Sequence, residues 1–397
     1  MSSKTPPISR RDALFATIGC VSALTGCVST TPFSTDQSPN DKSLDSPWPT
    51  VGATAQRTGV ATDARLPQTN AGTTALMERD DPAFGGITMP PVVADRTAYA
   101  TSRTGHIIAR GDTEWTVETD TQAGLTPTIA HGIVYAPIAS GIVALDPKDG
   151  GEQWRTETDA VSRDIGDATP TATNESVILG TEVVSALDKG TGKVQWVGEY
   201  PNPTTTWGVA TTGKRTIAMT ALDGKEGLIC CFGPKGNRQW KKTVDVNNAP
   251  PRPTISDGTV FAATDTGTLY AVDLKTGSTK WEAEIDDNVK TGLAVTNEIV
   301  VVPGATGGTL RAINVADGTA RWTQTVGNTT APAVVNDRVV VGANDISDIS
   351  ETGFAVFDPA TGNRTRKYAV GTAGSFTVGD GRIYFCHEAD SSLWVVG

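Results

Sequence analysis

The chain has 397 residues and a formal charge of -11, with 33 Lys and Arg against 44 Asp and Glu, which argues against nucleic acid as a partner. Five cysteines and three histidines, His106, His131 and His387, offer no disulfide framework and no metal-ligand spacing. The length alone would allow two or more domains, but an internal period makes one array with an ample core.

Ser9-Arg10-Arg11-Asp12 opens the chain as a twin-arginine pattern, and the apolar run Leu14 to Leu24 follows. That run is too short to span a bilayer and reads as the core of a signal peptide. Leu24-Thr25-Gly26-Cys27 is a lipobox, so residues 1–26 are expected to be removed, with Cys27 becoming a lipidated N-terminus. Arg10 and Arg11 are the export signal. Removing residues 1–26, which carry Lys4, Arg10 and Arg11 against Asp12, leaves a mature charge of -13. Residues 27–47 are rich in Ser, Thr, Pro and Asp with little to bury, and are expected to form a flexible tether.

From residue 48 onward the chain repeats. Gly111/Trp115, Gly150/Trp154, Gly192/Trp196, Gly236/Trp240, Gly277/Trp281 and Gly318/Trp322 each place a tryptophan four residues after a glycine. The tryptophans recur about every forty residues, a period of stacked supersecondary units. The clearest copy, Pro253 to Ile285, alternates short β-rich runs with Asp-Gly, Thr-Gly and Asp-x-x-Thr-Gly turns. That is the signature of consecutive hairpins. No helix-length apolar period appears after the leader, so the fold expected is all-β.

Units fall near 90–119, 126–158, 169–200, 204–244, 251–285, 291–326, 330–370 and 374–397. The last lacks its outermost strand. Gly72 to Glu78 has the length to supply it, with Leu76 four residues after Gly72 in the place of the tryptophan. The expectation is an eight-bladed β-propeller of four-stranded antiparallel blades, closed by an N-terminal strand that removes the open sheet edges. Trp115, Trp154, Trp196, Trp240, Trp281 and Trp322 are then packing residues between blades. Arg366, four residues after Gly362, takes the seventh position.

The frame Ala-x-Asp/Asn-x-x-Thr/Asp-Gly-x-x-x-Trp is complete four times, at Ala144–Trp154, Ala186–Trp196, Ala271–Trp281 and Ala312–Trp322. It resembles the tryptophan-docking motif of the pyrroloquinoline-quinone (PQQ)-like propellers. Trp48-Pro49 with Arg57-Thr58-Gly59 is similar to the opening segment of that family. The resemblance covers residues 48–397. It implies either a quinoprotein dehydrogenase or a cofactor-free propeller similar to the lipoprotein that assists outer-membrane protein assembly. Acidic composition, twin-arginine export and lipobox together resemble surface lipoproteins of halophilic archaea.

The dehydrogenase alternative would need PQQ, calcium held by hard oxygen ligands and a catalytic carboxylate. No clustered set of that kind is evident. Cys230-Cys231 resembles the vicinal disulfide of several such enzymes, but Cys230 occupies the small-residue slot filled by Ala144, Ala186, Ala271 and Ala312. Adjacent residues of a strand point to opposite faces, so two separate packing cysteines are expected. The favoured reading is a non-enzymatic, lipid-anchored propeller on the extracytoplasmic face of the cell membrane, monomeric, binding protein partners without cofactor or metal. A second alternative is a sensor of a small ligand or polysaccharide. Candidate binding residues stand in the stretches that depart most from the repeat: Arg163, Trp207, Arg252 and Asp345.

Overall fold

In the computed structural model the chain divides into two units, Met1–Asp41 and Lys42–Gly397. The structure describes residues 54–397 apart from 55–56, 58, 62–63, 78, 120–124, 139–140, 158–168, 201–204, 223–224, 248–252, 286–287, 290, 305–307, 328, 344–351 and 372.

Eight sheets follow one another along the chain. Blade one runs from Val92 to Glu118, two from Thr128 to Glu157, three from Thr171 to Glu199, and four from Thr205 to Asp245. Blade five runs from Thr254 to Glu284, six from Ala294 to Thr325, seven from Ala333 to Ala369, and eight from Ala373 to Val396. Within each blade successive strands pair antiparallel, and the inner strands of successive blades touch around a closed ring, first strand to first strand except between blades seven and eight, where Val339–Ala343 meets Ala373–Gly379. The first strand of each blade therefore faces the axis and the fourth faces the rim. The expected eight-bladed propeller is the observed fold, with no helix among the described residues.

Blade five shows why the sequence adopts this form. Thr259–Ala263 is buried throughout because a neighbouring blade covers each face, and it reads as an unbroken apolar run. Thr279–Glu284, at the rim, alternates exposed and half-buried residues. Asp257 and Gly258 turn the chain with φ of 41° and 68°. The Asp273 carboxylate accepts from the backbone N–H groups of Lys275 and Thr276 and from the Thr276 hydroxyl, and the Gly277 N–H donates to the Asp273 carbonyl at 2.9 Å. The Thr276 bonds hold this carboxyl below the usual carboxylate range.

Two N-terminal segments complete the ring. Thr73–Ala75 pairs antiparallel with Ser392–Val396 and supplies the missing outermost strand of blade eight, as expected. Leu76 lies just beyond that strand, and Thr74, opposite Val395, stands where a tryptophan docks in other blades. No hairpin precedes this strand, so nothing imposes the glycine-to-tryptophan offset that pointed to Leu76. The second segment was not foreseen. Val60–Ala61 pairs in parallel with Ala333–Val335, adding a fifth strand to blade seven on the axis side.

Candidate functional site

At each regular junction the tryptophan of one blade lies on the motif glycine of the next. A Cβ on Gly150, Gly192, Gly236, Gly277, Gly318 or Gly362 would stand within about 3 Å of the indole of Trp115, Trp154, Trp196, Trp240, Trp281 or Trp322 respectively. The glycine therefore serves twice, since its φ is also positive, 77° at Gly277. The indole N–H then donates to the carbonyl of the residue following the turn's first residue. Trp115 reaches Pro147 at 2.9 Å, Trp154 Lys189 at 2.9 Å, Trp240 Leu274 at 3.0 Å, Trp281 Val315 at 2.8 Å and Trp322 Pro359 at 2.8 Å. Tyr99, Tyr135 and Phe261 pack their rings beside Trp115, Trp154 and Trp281.

Three junctions differ, among them that of blades eight and one, where Thr74 stands in the tryptophan's place. Between blades three and four, Trp196 covers Gly236 but its indole N–H has no partner. The receiving turn runs from Gly233 to Gly236, closed by a Gly236 N–H to Gly233 carbonyl bond, and is one residue shorter than Asp146 to Gly150. Between blades seven and eight, the receiving hairpin is absent because blade eight takes its outer strand from the N-terminus. Arg366 stands in the tryptophan's place and donates to the Pro67 carbonyl at 2.8 Å, and the Tyr368 hydroxyl donates to the same oxygen at 2.6 Å.

The axis is occupied by the chain itself. Arg57 is only 3% exposed and has a φ of 57°. Its guanidinium donates to the Val209 carbonyl of blade four and to the Thr169 carbonyl and Thr171 hydroxyl at blade three, the latter two at 3.1 Å. The Thr254 hydroxyl of blade five donates to the Arg57 carbonyl at 3.1 Å. Gly59 lies so close to Leu293 and Ala294 of blade six that a Cβ would come within 3.0 Å of them, and the Val334 N–H of blade seven donates to the Gly59 carbonyl at 2.7 Å. Residues 57–61 thus touch five successive blades from inside the ring. No carboxylate among the described residues pairs with Arg57, its Nη1 has no partner, and burial pushes its pKa down to about 9.

Successive strands run in opposite directions, so links from a fourth strand to the next first strand, and from second to third strands, leave one end of the ring. Arg163, Arg252 and Asp345 lie outside the described residues, as do Cys27, Arg10 and Arg11. The described strands that flank the first three all open toward that one end. Trp207 is in the first strand of blade four, Thr205–Thr211, at the register shift between Thr206 and Val209.

Cys230 and Cys231 are free and buried. Cys230 packs with Ala218, Leu228 and Phe232 toward blade three, and Cys231 with Ile217, Met219 and half-buried Trp240 toward blade five. Burial pushes each thiol up to about 11. One detail of the expectation is corrected: Cys231, not Cys230, stands opposite Trp240 in the small-residue slot. The short turn at Gly233 removes one residue from the count between slot and tryptophan. His106, His131 and His387 contact Thr104, the Thr173 carbonyl and Asp390 in three different blades. Among the described residues no three His, Cys, Asp or Glu side chains converge as a metal site.

The family described as outer membrane protein assembly factor BamB matches residues 50–220 and 225–382. No curated protein matches the chain in sequence. BamB from Moraxella catarrhalis is 19% identical with a TM-score of 0.62, covering 82% of this chain and 98% of its own. Quinohemoprotein alcohol dehydrogenase from Comamonas testosteroni is 13% identical with a TM-score of 0.66, covering 90% and 81%. A europium-containing methanol dehydrogenase is 14% identical with a TM-score of 0.65, covering 89% and 90%. Identities this low carry the fold alone. With its docking glycines and tryptophans repeated around a closed eight-bladed ring and its sequence matched over most of its length, the chain belongs to the BamB family of PQQ-repeat propellers.

Proposed function

We propose that this protein is a non-enzymatic binding scaffold, anchored by lipid at Cys27 to the extracytoplasmic face of the cell membrane after twin-arginine export, monomeric, and engaging protein partners through its loops and rim. The observation that carries this reading is the N-terminal segment laid along the inner strands. Arg57 to Ala61 lie against the inner strands of blades three to seven, so the chain itself covers much of the inner face. BamB is described as an assembly factor for outer membrane proteins. The kind of function carried over here is protein binding at a membrane, without that particular membrane.

The alternative is a PQQ-dependent dehydrogenase, favoured by the likeness in fold to quinohemoprotein alcohol dehydrogenase. Two observations among the described residues weigh against it. Cys230 and Cys231 face opposite blades and cannot form a vicinal disulfide without breaking the strand, and the inner surface is lined by the protein's own backbone.

Photo-crosslinking of the purified mature protein on native membranes tests the scaffold reading and should yield discrete protein adducts. A parallel titration with PQQ and calcium, followed by heat release and dye-linked alcohol oxidation, should be flat. Saturable quinone binding with turnover would sink the proposal.

A further inference from the structure

The outer strand of blade three, Val194–Glu199, differs from its counterparts. Rim strands are sheet edges, and a charged side chain protects such an edge from pairing with another chain. Glu152, Arg155 and Glu157 do this in blade two, Lys280, Glu282 and Glu284 in blade five, and Arg364, Arg366 and Lys367 in blade seven. Val194–Glu199 carries no charge before its last residue, a trait shared with Trp115–Glu118 of blade one and Thr73–Ala75 of blade eight, and what sets it apart is its exposed apolar side chains. Val194 and Val197, 50% and 47% exposed, are the exposed large hydrophobic residues among those described. Their register partners Leu187 and Ser185 alternate with Ala186, the partner of Trp196, so the valines lie on the opposite side of the strand from the indole.

On the indole's side the strand meets blade four. A Cβ on Gly236 would stand 2.9 Å from the Val197 carbonyl, so the blade-four turn abuts this strand. That blade holds seven Lys or Arg against three Asp or Glu, a formal charge of +4, whereas the other seven range from neutral to -3. Lys235 lies in the abutting turn and Arg238 just beyond it, and Lys214 and Arg215 lie in the turn at the same end of the blade. Among the described residues none of these four is in an ion pair, and the Arg215 Nε is buried without a partner. The Trp196 ring itself lies on Gly236 of this basic turn.

We propose that Val194–Glu199 is a docking edge for an extended segment of a partner protein, added as a fifth strand to blade three. Its side chains alternate: apolar ones cover Val194 and Val197, and acidic ones face Lys235 and Arg238. Backbone pairing supplies affinity, and the charge of blade four selects an acidic segment. This rests on the scaffold reading and names the surface and the partner's chemistry.

The probe is a dye-labelled synthetic peptide of about ten residues alternating valine with glutamate, titrated against the mature protein by fluorescence anisotropy. Saturable binding is expected, with none for a peptide alternating valine with lysine. Val197→Lys, which places a charge on the exposed edge, and the pair Lys235→Glu with Arg238→Glu should each weaken binding about tenfold or more, with melting midpoints near that of the parent protein. No binding, equal binding of both peptides, or undiminished binding by Val197→Lys would overturn the proposal. A concentration-dependent dimer that Val197→Lys abolishes would overturn it in favour of a second copy as occupant. In the membrane crosslinking, adducts retained by Val197→Lys refute the docking edge and leave the scaffold, whereas adducts absent from the parent protein refute the scaffold itself.

Discussion

The regular blade junctions and the seam where the ring closes perform the same task by different means. At a regular junction glycine and tryptophan come from neighbouring copies of one motif, and the turn that presents the glycine also presents the carbonyl for the indole N–H. At the seam the receiving turn does not exist, because Thr73–Ala75 arrives from the N-terminus. There Arg366 reaches the Pro67 carbonyl, and Leu66 and Ala71 pack against the core shared by blades seven and eight. At these junctions the donor presented thus follows the surface it meets. A flat indole suits a glycine turn, and a long cationic stem suits a strap of irregular backbone.

Deleting the chain through Leu76 should have the largest effect, because it removes the axis segment and the closing strand together and bares two sheet edges. Loss of a single cooperative unfolding transition and association on size exclusion are expected, and a monomer with an unchanged denaturation midpoint would break the comparison. Trp281→Ala should cost about 3–5 kcal/mol in chemical denaturation, and Arg366→Ala about 1–2 kcal/mol from lost hydrogen bonds. Equal costs would mean that the seam is an ordinary junction.

The glycines separate backbone from contact. Gly258 has a φ of 68° with open space beyond it, whereas at Gly277, with a φ of 77°, a Cβ would stand 2.7 Å from Trp240. Gly258→Ala should cost about 1 kcal/mol for the left-handed backbone alone, and Gly277→Ala about 1–3 kcal/mol more for the forced displacement. Melting curves of the two variants decide it. A finer cut comes from the indole N–H: Trp281→Phe should lose about 1 kcal/mol more than Trp196→Phe, since only Trp281 has an acceptor.

The smallest effect is with acid. Thr191 and Thr276 hold Asp188 and Asp273 below the usual carboxylate range, and Thr319 and Thr361 do the same for Asp317 and Asp358. The unfolded chain binds protons first at these groups, so their contribution is whole above the unfolded value near about 4 and is lost as pH falls through the lower folded values. Urea midpoints should be level above that point and decline below it. Asp273→Asn should soften the decline, whereas blade four, whose turn begins at Gly233, has no such group to titrate.

Most of the fold was legible because each blade solves one local problem with one motif. Asp with Thr or Asp and Gly specifies the turn, unbroken apolar runs specify strands covered on both faces, and a tryptophan at fixed offset specifies the next neighbour. The missing strand of blade eight was legible for the same reason, since an incomplete repeat requires a supplier. The register of Leu76 and the slot of Cys231 were not, because each follows a place where the hairpin is absent or shortened and counting loses its reference.

The sequence by itself determined the all-β class, the eight units, the docking residues and the clasp, all of which follow from periodicity and turn chemistry acting over a few residues. Only the tertiary structure decided that Arg57 to Ala61 line the inner strands of blades three to seven, that Trp196 keeps an N–H unpaired among the described residues, and that the apolar edge of Val194–Glu199 lies beside the basic turn of blade four. Those facts join segments on different blades or, for Arg57 and Val209, 152 residues apart. No local pattern encodes such a meeting, because it exists only once the ring has closed and brought the segments together.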